Sequence, residues 1–193
     1  FAPPGSASIV LLLVVPLVTM RLISEERKAQ TISLLFSSPV SMTEIILGKY
    51  LGIMGFLLIM LSLITLMPLA LLLGGALDGG MLLSGLLGLG LLLASFAAVG
   101  LFMSTLTAQP VVAAVSTFGV LLFLWLLDWA GNSAAENSSN LAGNVFGYLS
   151  MLRHYETLLK GMFDSSDVIY YLLLIVLFLG LSVYRLNADR MRP

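Results

Sequence analysis

Residues 81–106 read MLLSGLLGLGLLLASFAAVGLFMSTL, an unbroken apolar stretch without one Asp, Glu, Lys, Arg or His. About 20 such residues in helical form cross the roughly 30 Å hydrocarbon layer of a bilayer. A strand of a membrane barrel alternates polar and apolar positions, and this stretch does not. Lipid offers no water to backbone amides, so each must bond within its own segment, which a helix allows. The stretch reads as a transmembrane helix and sets the fold class, an all-α membrane protein.

Four further runs share this character: 7–23, which contains Pro16; 45–73, which contains Pro68; 111–130; and 168–186. The expectation is a polytopic helical bundle with five transmembrane helices, kinked near the two prolines. Composition agrees. Hydrophobic residues make up 59% of the 193 positions and charged ones 10%, and mean hydropathy is +1.06. A soluble domain needs roughly a quarter charged residues to wet its surface, so a water-soluble globule is excluded. A net charge of −1 leaves no basic footprint for nucleic acid. The absence of cysteine removes disulfides and thiolate metal sites. The chain opens at Phe1 inside an apolar run with no basic leader. It reads as starting partway through a longer polypeptide, with one leading helix of a six-helix domain still to come before it.

Basic residues set the orientation. If the 23–44 connection is cytoplasmic, its side holds Arg21, Arg27, Lys28, Lys49, Arg185, Arg190 and Arg192, and the opposite side only Arg153 and Lys160. The C-terminus is therefore expected inside. Gly90, Ala94 and Ala98, and likewise Gly48 and Gly52, place small residues every fourth position, the spacing at which helix backbones approach closely.

The 24–39 stretch, SEERKAQTISLLFSSP, breaks the apolar pattern. Ser24 is in the position of an N-cap, and Glu25 and Glu26 suit the positive end of a helix dipole. Ala29, Ile32, Leu35 and Phe36 form an apolar stripe, with Glu26, Gln30, Ser33 and Ser37 beside it. Ser37, Ser38 and Pro39 stop the helix, and Ser41-Met-Thr-Glu44 is a capping box that starts the next. A short amphipathic helix over 24–38, lying along the cytoplasmic surface, is expected. A solvated loop that serves only to fix topology is the plainer alternative.

Across the membrane, residues 131–167 read as an outer loop that carries a second amphipathic helix. Asn132 through Asn144 has the composition of a flexible connector. Over 148–163, Tyr148, Met151, Leu152, Tyr155 and Leu159 share one face, while Arg153, His154 and Glu156 lie on the other. That polar face is a candidate contact for substrate or an outer partner; a packing helix with a solvated face is the alternative.

Several chemistries are excluded by what is missing. No Gly-x(4)-Gly-Lys-Ser/Thr occurs: Gly48-Lys49 is followed by Tyr50 and has Thr43 where the first glycine belongs. One histidine, His154, makes no multi-histidine metal site, and no Gly-x-Ser-x-Gly turn is present. Glu25-Glu26 lacks the arginine that an intramembrane CAAX-type protease needs four residues on, where Gln30 stands. The spans hold no ionisable group between their ends, whereas ion-coupled carriers place such groups at depth. Any drive for active transport is expected to enter from outside the bilayer.

Thr19-Met-Arg21, Glu25-Glu-Arg27, Thr31, Leu34-Leu35, Ser38-Pro-Val40 and Ile46-Leu-Gly-Lys49 together resemble the type-2 ABC export permeases, in particular the gliding-motility-associated variety. Leu152-Arg-His-Tyr-Glu156, Lys160-Gly161 and Asp167-Val-Ile-Tyr170 extend the likeness over nearly the whole chain. Gln30 stands where that variety usually has Gly, and Ser33 where it has Glu. The resemblance implies a six-span permease of the bacterial inner membrane that pairs with a second permease, a copy or a paralogue. Two ABC ATPase subunits would sit beneath and hold the ATP and Mg. It further implies that the 24–38 helix couples to an ATPase through Glu25, Glu26, Arg27, Thr31, Leu35 and Pro39, with no catalytic, cofactor or metal residue in the chain itself. A non-transporting membrane anchor or signalling component that uses the same surface helix is the alternative.

Overall fold

The computed structural model describes residues 13–31, 40–72, 79–137 and 165–191. Every regular element among them is helical: α1 (13–19), α2 (Ser24–Lys28), α3 (Met42–Leu72), α4 (Gly79–Leu106), α5 (Pro110–Asn137) and α6 (Ser165–Arg190). Among the described residues, three helices are long and apolar enough to cross a membrane, over Met42–Leu66, Leu83–Leu106 and Ser165–Arg190, and Pro110–Leu126 is a shorter apolar helix. The molecule is an all-α membrane bundle.

Helix starts follow local chemistry. In the capping box that opens α3, the Ser41 amide donates to Glu44 Oε2 at 2.8 Å and the Glu44 amide to Ser41 Oγ at 3.3 Å. Two amides that a helix start leaves without partners are thereby satisfied. Pro110 opens α5, where its missing N–H costs nothing. That helix runs to Asn137, past the expected end at Ala130 and through the first part of the 132–144 connector. Adding a residue to an existing helix is far easier than starting one, so Ala134, Ala135 and Glu136 extend it.

The first expected span departs most from a straight helix. The chain remains helical across Pro16, but at 20–23 it turns instead of continuing to Ile23. The Leu22 amide drops to the Thr19 carbonyl, three residues back, at 3.2 Å. The break therefore falls four residues after the proline.

Helix α4 is the hub. It packs against α3, α5 and α6, and 61% of its span is buried against 22% for α3 and for α6. All its faces are apolar, so polarity does not decide which of them turns inward. Between helices in lipid, close van der Waals fit makes that choice. Ala94, Ser95, Ala97 and Ala98 are small and buried and let three neighbours approach. The stripe Met42, Ile46, Tyr50, Ile53 and Leu57 turns one side of α3 inward, and the Tyr50 hydroxyl donates to the Ala94 carbonyl at 3.1 Å. The two small-residue series diverge. Ala94 and Ala98 are core residues, whereas among the described residues a Cβ added at Gly48 or Gly52 would meet no neighbouring element within 4 Å, so both face away from the chain's own bundle.

Chain reversal brings the start of α3, the end of α4, the start of α5 and the end of α6 to one end of the bundle, beside α2. Ile23, Met42, Ile46, Leu101 and Leu186 form a separate apolar cluster there. The described ends of the 23–44 connection and the end of α6 thus share a side.

Candidate functional site

The site is built around a backbone break held by a side chain from far away in sequence. Ser104, in the last turn of α4, accepts hydrogen bonds from the Ile23 and Ser24 amides at 3.0 Å each. Its own hydroxyl donates to the Met20 carbonyl at 3.2 Å. Buried amides at a helix start need an acceptor, and Ser104 supplies one in trans. Ser24, expected to cap its own helix, makes no cap bond: Ile23 is at the N-cap position, and the Ser24 hydroxyl donates back to Met20. The Ser24 side chain cannot reach forward because it is fully buried against the preceding turn.

Helix α2 closes just as definitely. The Gln30 amide bonds to the Arg27 carbonyl at 3.3 Å and the Thr31 amide to the Glu26 carbonyl at 3.1 Å. This is the paired pattern of a Schellman ending, which requires a left-handed residue, and Gln30 has φ 59°. Among the described residues, the amphipathic helix expected over 24–38 ends at Lys28, and 32–39 lie outside them.

Charges fasten α2 to two further helices. Lys49 of α3 donates to Glu26 Oε1 at 2.7 Å and to the Leu22 carbonyl at 2.6 Å. Arg27 pairs with Asp189 in the last turn of α6, and Arg185 Nη2 lies 3.7 Å from the other oxygen of that carboxylate. Arg27 and Asp189 are 19% and 17% exposed, so water screens this pair less than a surface pair. Glu26 Oε2 and Arg27 Nε are buried without a hydrogen-bond partner.

Of the expected coupling residues, Glu26 and Arg27 turn inward, whereas Glu25 and Thr31 are exposed beside Lys28, Ala29 and Gln30. Leu35, Pro39, Arg153, His154 and Glu156 lie outside the described residues, as does the helix expected over 148–163. Ser104 and Asp189 went unnoticed in the sequence. Ser104 reads as one hydroxyl in an apolar run. Asp189 sits in the last turn of a helix, where the dipole disfavours a carboxylate, and that misplacement was a usable signal.

Several span hydroxyls turn to their own backbones, unlike those of Tyr50 and Ser104. Ser95 donates to the Leu92 carbonyl at 2.7 Å, Thr117 to Ala113 at 2.7 Å and Ser182 to Phe178 at 2.8 Å. An open groove between α1 and α5 is lined by Leu13, Pro16, Leu17, Ala114, Val115 and Phe118, with no ionisable group among them. The described part of the bundle thus presents one charged, structured end and an apolar flank.

A comparison with known families matches residues 6–191 to the ABC-2 family transporter proteins. No curated protein and no solved structure matches the chain. Since that match spans nearly every residue, this chain belongs to the ABC-2 transporter family.

Proposed function

We propose that this chain is the membrane permease of an ATP-driven exporter and that the outward face of residues 25–31 is where an ATPase subunit docks. One observation carries the reading: α2 is fastened on its inner side to three membrane helices, through Ser104, Lys49 and Asp189, while Glu25, Lys28, Gln30 and Thr31 stay exposed. A push on that face reaches the spans directly. The chain has no phosphate-binding glycine loop, so ATP and Mg are bound and hydrolysed on the partner.

Two ATPases and a second permease, identical or related, complete the assembly. Ser95, Thr117 and Ser182 are satisfied within their own helices, which favours a solute path between two permeases over one through a single bundle. Transport requires two arrangements that differ in affinity for the nucleotide-bound ATPase. The excess of basic residues on the α2 side supports a cytoplasmic position for that side and for the C-terminus, and the family resemblance supports a bacterial inner membrane. The Thr19-to-Lys49 wording supports kinship with the gliding-motility-associated variety.

The test is charge reversal on the exposed face alone, with Glu25→Arg and Lys28→Glu combined. Copurification of the ATPase should fall at least tenfold while the permease itself stays monodisperse. Unchanged copurification and unchanged ATP hydrolysis would remove the docking role. A membrane protein that copurifies with an ATPase yet never moves a solute in nucleotide-loaded vesicles would be an anchor instead.

A further inference from the structure

We infer that Asp189 is a positioning residue that makes α6 move with α2, so that a displacement of the docking face is passed to the far end of the last membrane helix. The inference rests on the reading of 25–31 as the docking face.

Helix α2 has five residues, too few to hold a helical shape or a position by itself. Its placement is therefore dictated by what grips it. Ser104 grips its entrance at the Ile23 and Ser24 amides, and Lys49 grips the Leu22 carbonyl and, in the middle of α2, Glu26. Among the described residues, Arg27–Asp189 is the ion pair that reaches α2 from α6, and it grips the second half of α2, next to exposed Lys28.

Asp189 also breaks a local rule. A carboxylate in the final turn of a helix opposes the dipole, and Arg185 at i−4 lies 3.7 Å away, too far for a short hydrogen bond. Arg27, distant in sequence, supplies the compensating contact. A residue unfavourable within its own helix and satisfied by another element serves the junction between the two. From Asp189 to Ile169, near the other end of α6, is about 30 Å at 1.5 Å per residue. A helix is stiff over that length, so a shift at one end becomes a shift or tilt at the other.

The chain has no cysteine, so a single label is easily placed. Ile169 is 55% exposed. Ile169→Cys carrying an environment-sensitive fluorophore would be prepared in the complex purified with its own ATPase and placed in lipid nanodiscs. The probe is ATP with vanadate. With Asp189 intact, trapping should change the emission. Asp189→Asn should reduce that change at least fivefold, with vanadate-sensitive ATP hydrolysis kept within twofold, and Asp189→Glu should restore it. A merely structural role would lower hydrolysis and response together. A full response in Asp189→Asn, or parallel loss of both activities, overturns the inference while leaving the docking reading in place. A complex that contains no ATPase overturns both.

Discussion

Gly100 of α4 lies directly against Thr19 of α1: a Cβ added to the glycine would fall within 3.0 Å of Oγ1, Cβ and Cγ2 of Thr19. Thr19 is fully buried and β-branched, and its hydroxyl is committed to the Val15 carbonyl at 2.9 Å, so it cannot swing aside cheaply. Gly100→Ala is therefore expected to destabilise the bundle by about 1–3 kcal/mol, the usual cost of overpacking. Gly119 has open space around it and provides the control. Gly119→Ala gains helix propensity of up to about 1 kcal/mol and should raise the melting temperature or leave it unchanged. Equal behaviour of the two variants in thermal melts would contradict the close crossing.

Ser104→Ala removes the acceptor for two buried amides, at about 1–3 kcal/mol for each donor left unpaired. Hydrogen exchange at Ile23 and Ser24 should accelerate at least tenfold, with exchange in the middle of α4 unchanged. Ser104→Thr keeps the hydroxyl and should preserve most of the protection. Unaltered exchange in Ser104→Ala would mean that another acceptor holds the break.

Gln30 occupies a left-handed position that glycine adopts without strain. Gln30→Gly should firm the end of α2 by up to about 1 kcal/mol, and Gln30→Val should weaken it by more because β-branching is least tolerated there. Protease cleavage within 28–31 should slow in the first variant and quicken in the second. The reverse order would place the turn in a different conformation.

Lys49→Met leaves Glu26 without its ion-pair partner in a site where the two side chains are 22% and 31% exposed. The expected loss is about 1–3 kcal/mol, as for a partly buried group deprived of its partner. Adding Glu26→Gln should recover part of it. A double-mutant cycle with a coupling energy near zero would show that the pair is solvated and idle.

What could be read in advance follows the range of the forces involved. The membrane class and the spans from Met42 to Leu106 are written in local apolar length, which needs no knowledge of neighbours. The Ser41–Glu44 cap was equally plain because both partners lie within four residues. The turn at 20–23 was not, since the hydroxyl that stabilises it comes from Ser104, 81 residues beyond Ile23. Proline gives no warning of that turn either: what Pro16 lacks is its own N–H, whereas its carbonyl still accepts from the Met20 amide at 3.0 Å. The glycine series differ for a related reason: Gly48-x-x-x-Gly52 and Gly90-x-x-x-Ala94 look alike, but which neighbour each meets is a property of the opposing surface, and among the described residues of this chain only the second meets one. In the surface segment, the family resemblance groups Glu25, Glu26 and Arg27 together. A helix separates such neighbours by about 100°, so one faces outward and two face the bundle.

The most direct measurement is photocrosslinking from the exposed face of α2 in intact cells. A photoreactive amino acid at Lys28 should form an adduct with an ATP-binding subunit. The same group at Phe123, on the apolar flank, should give none. An adduct from Phe123 but not from Lys28, or labelling of residue 28 by a membrane-impermeant reagent added from outside, would place the partner or the segment on the wrong side and contradict the proposed route of force.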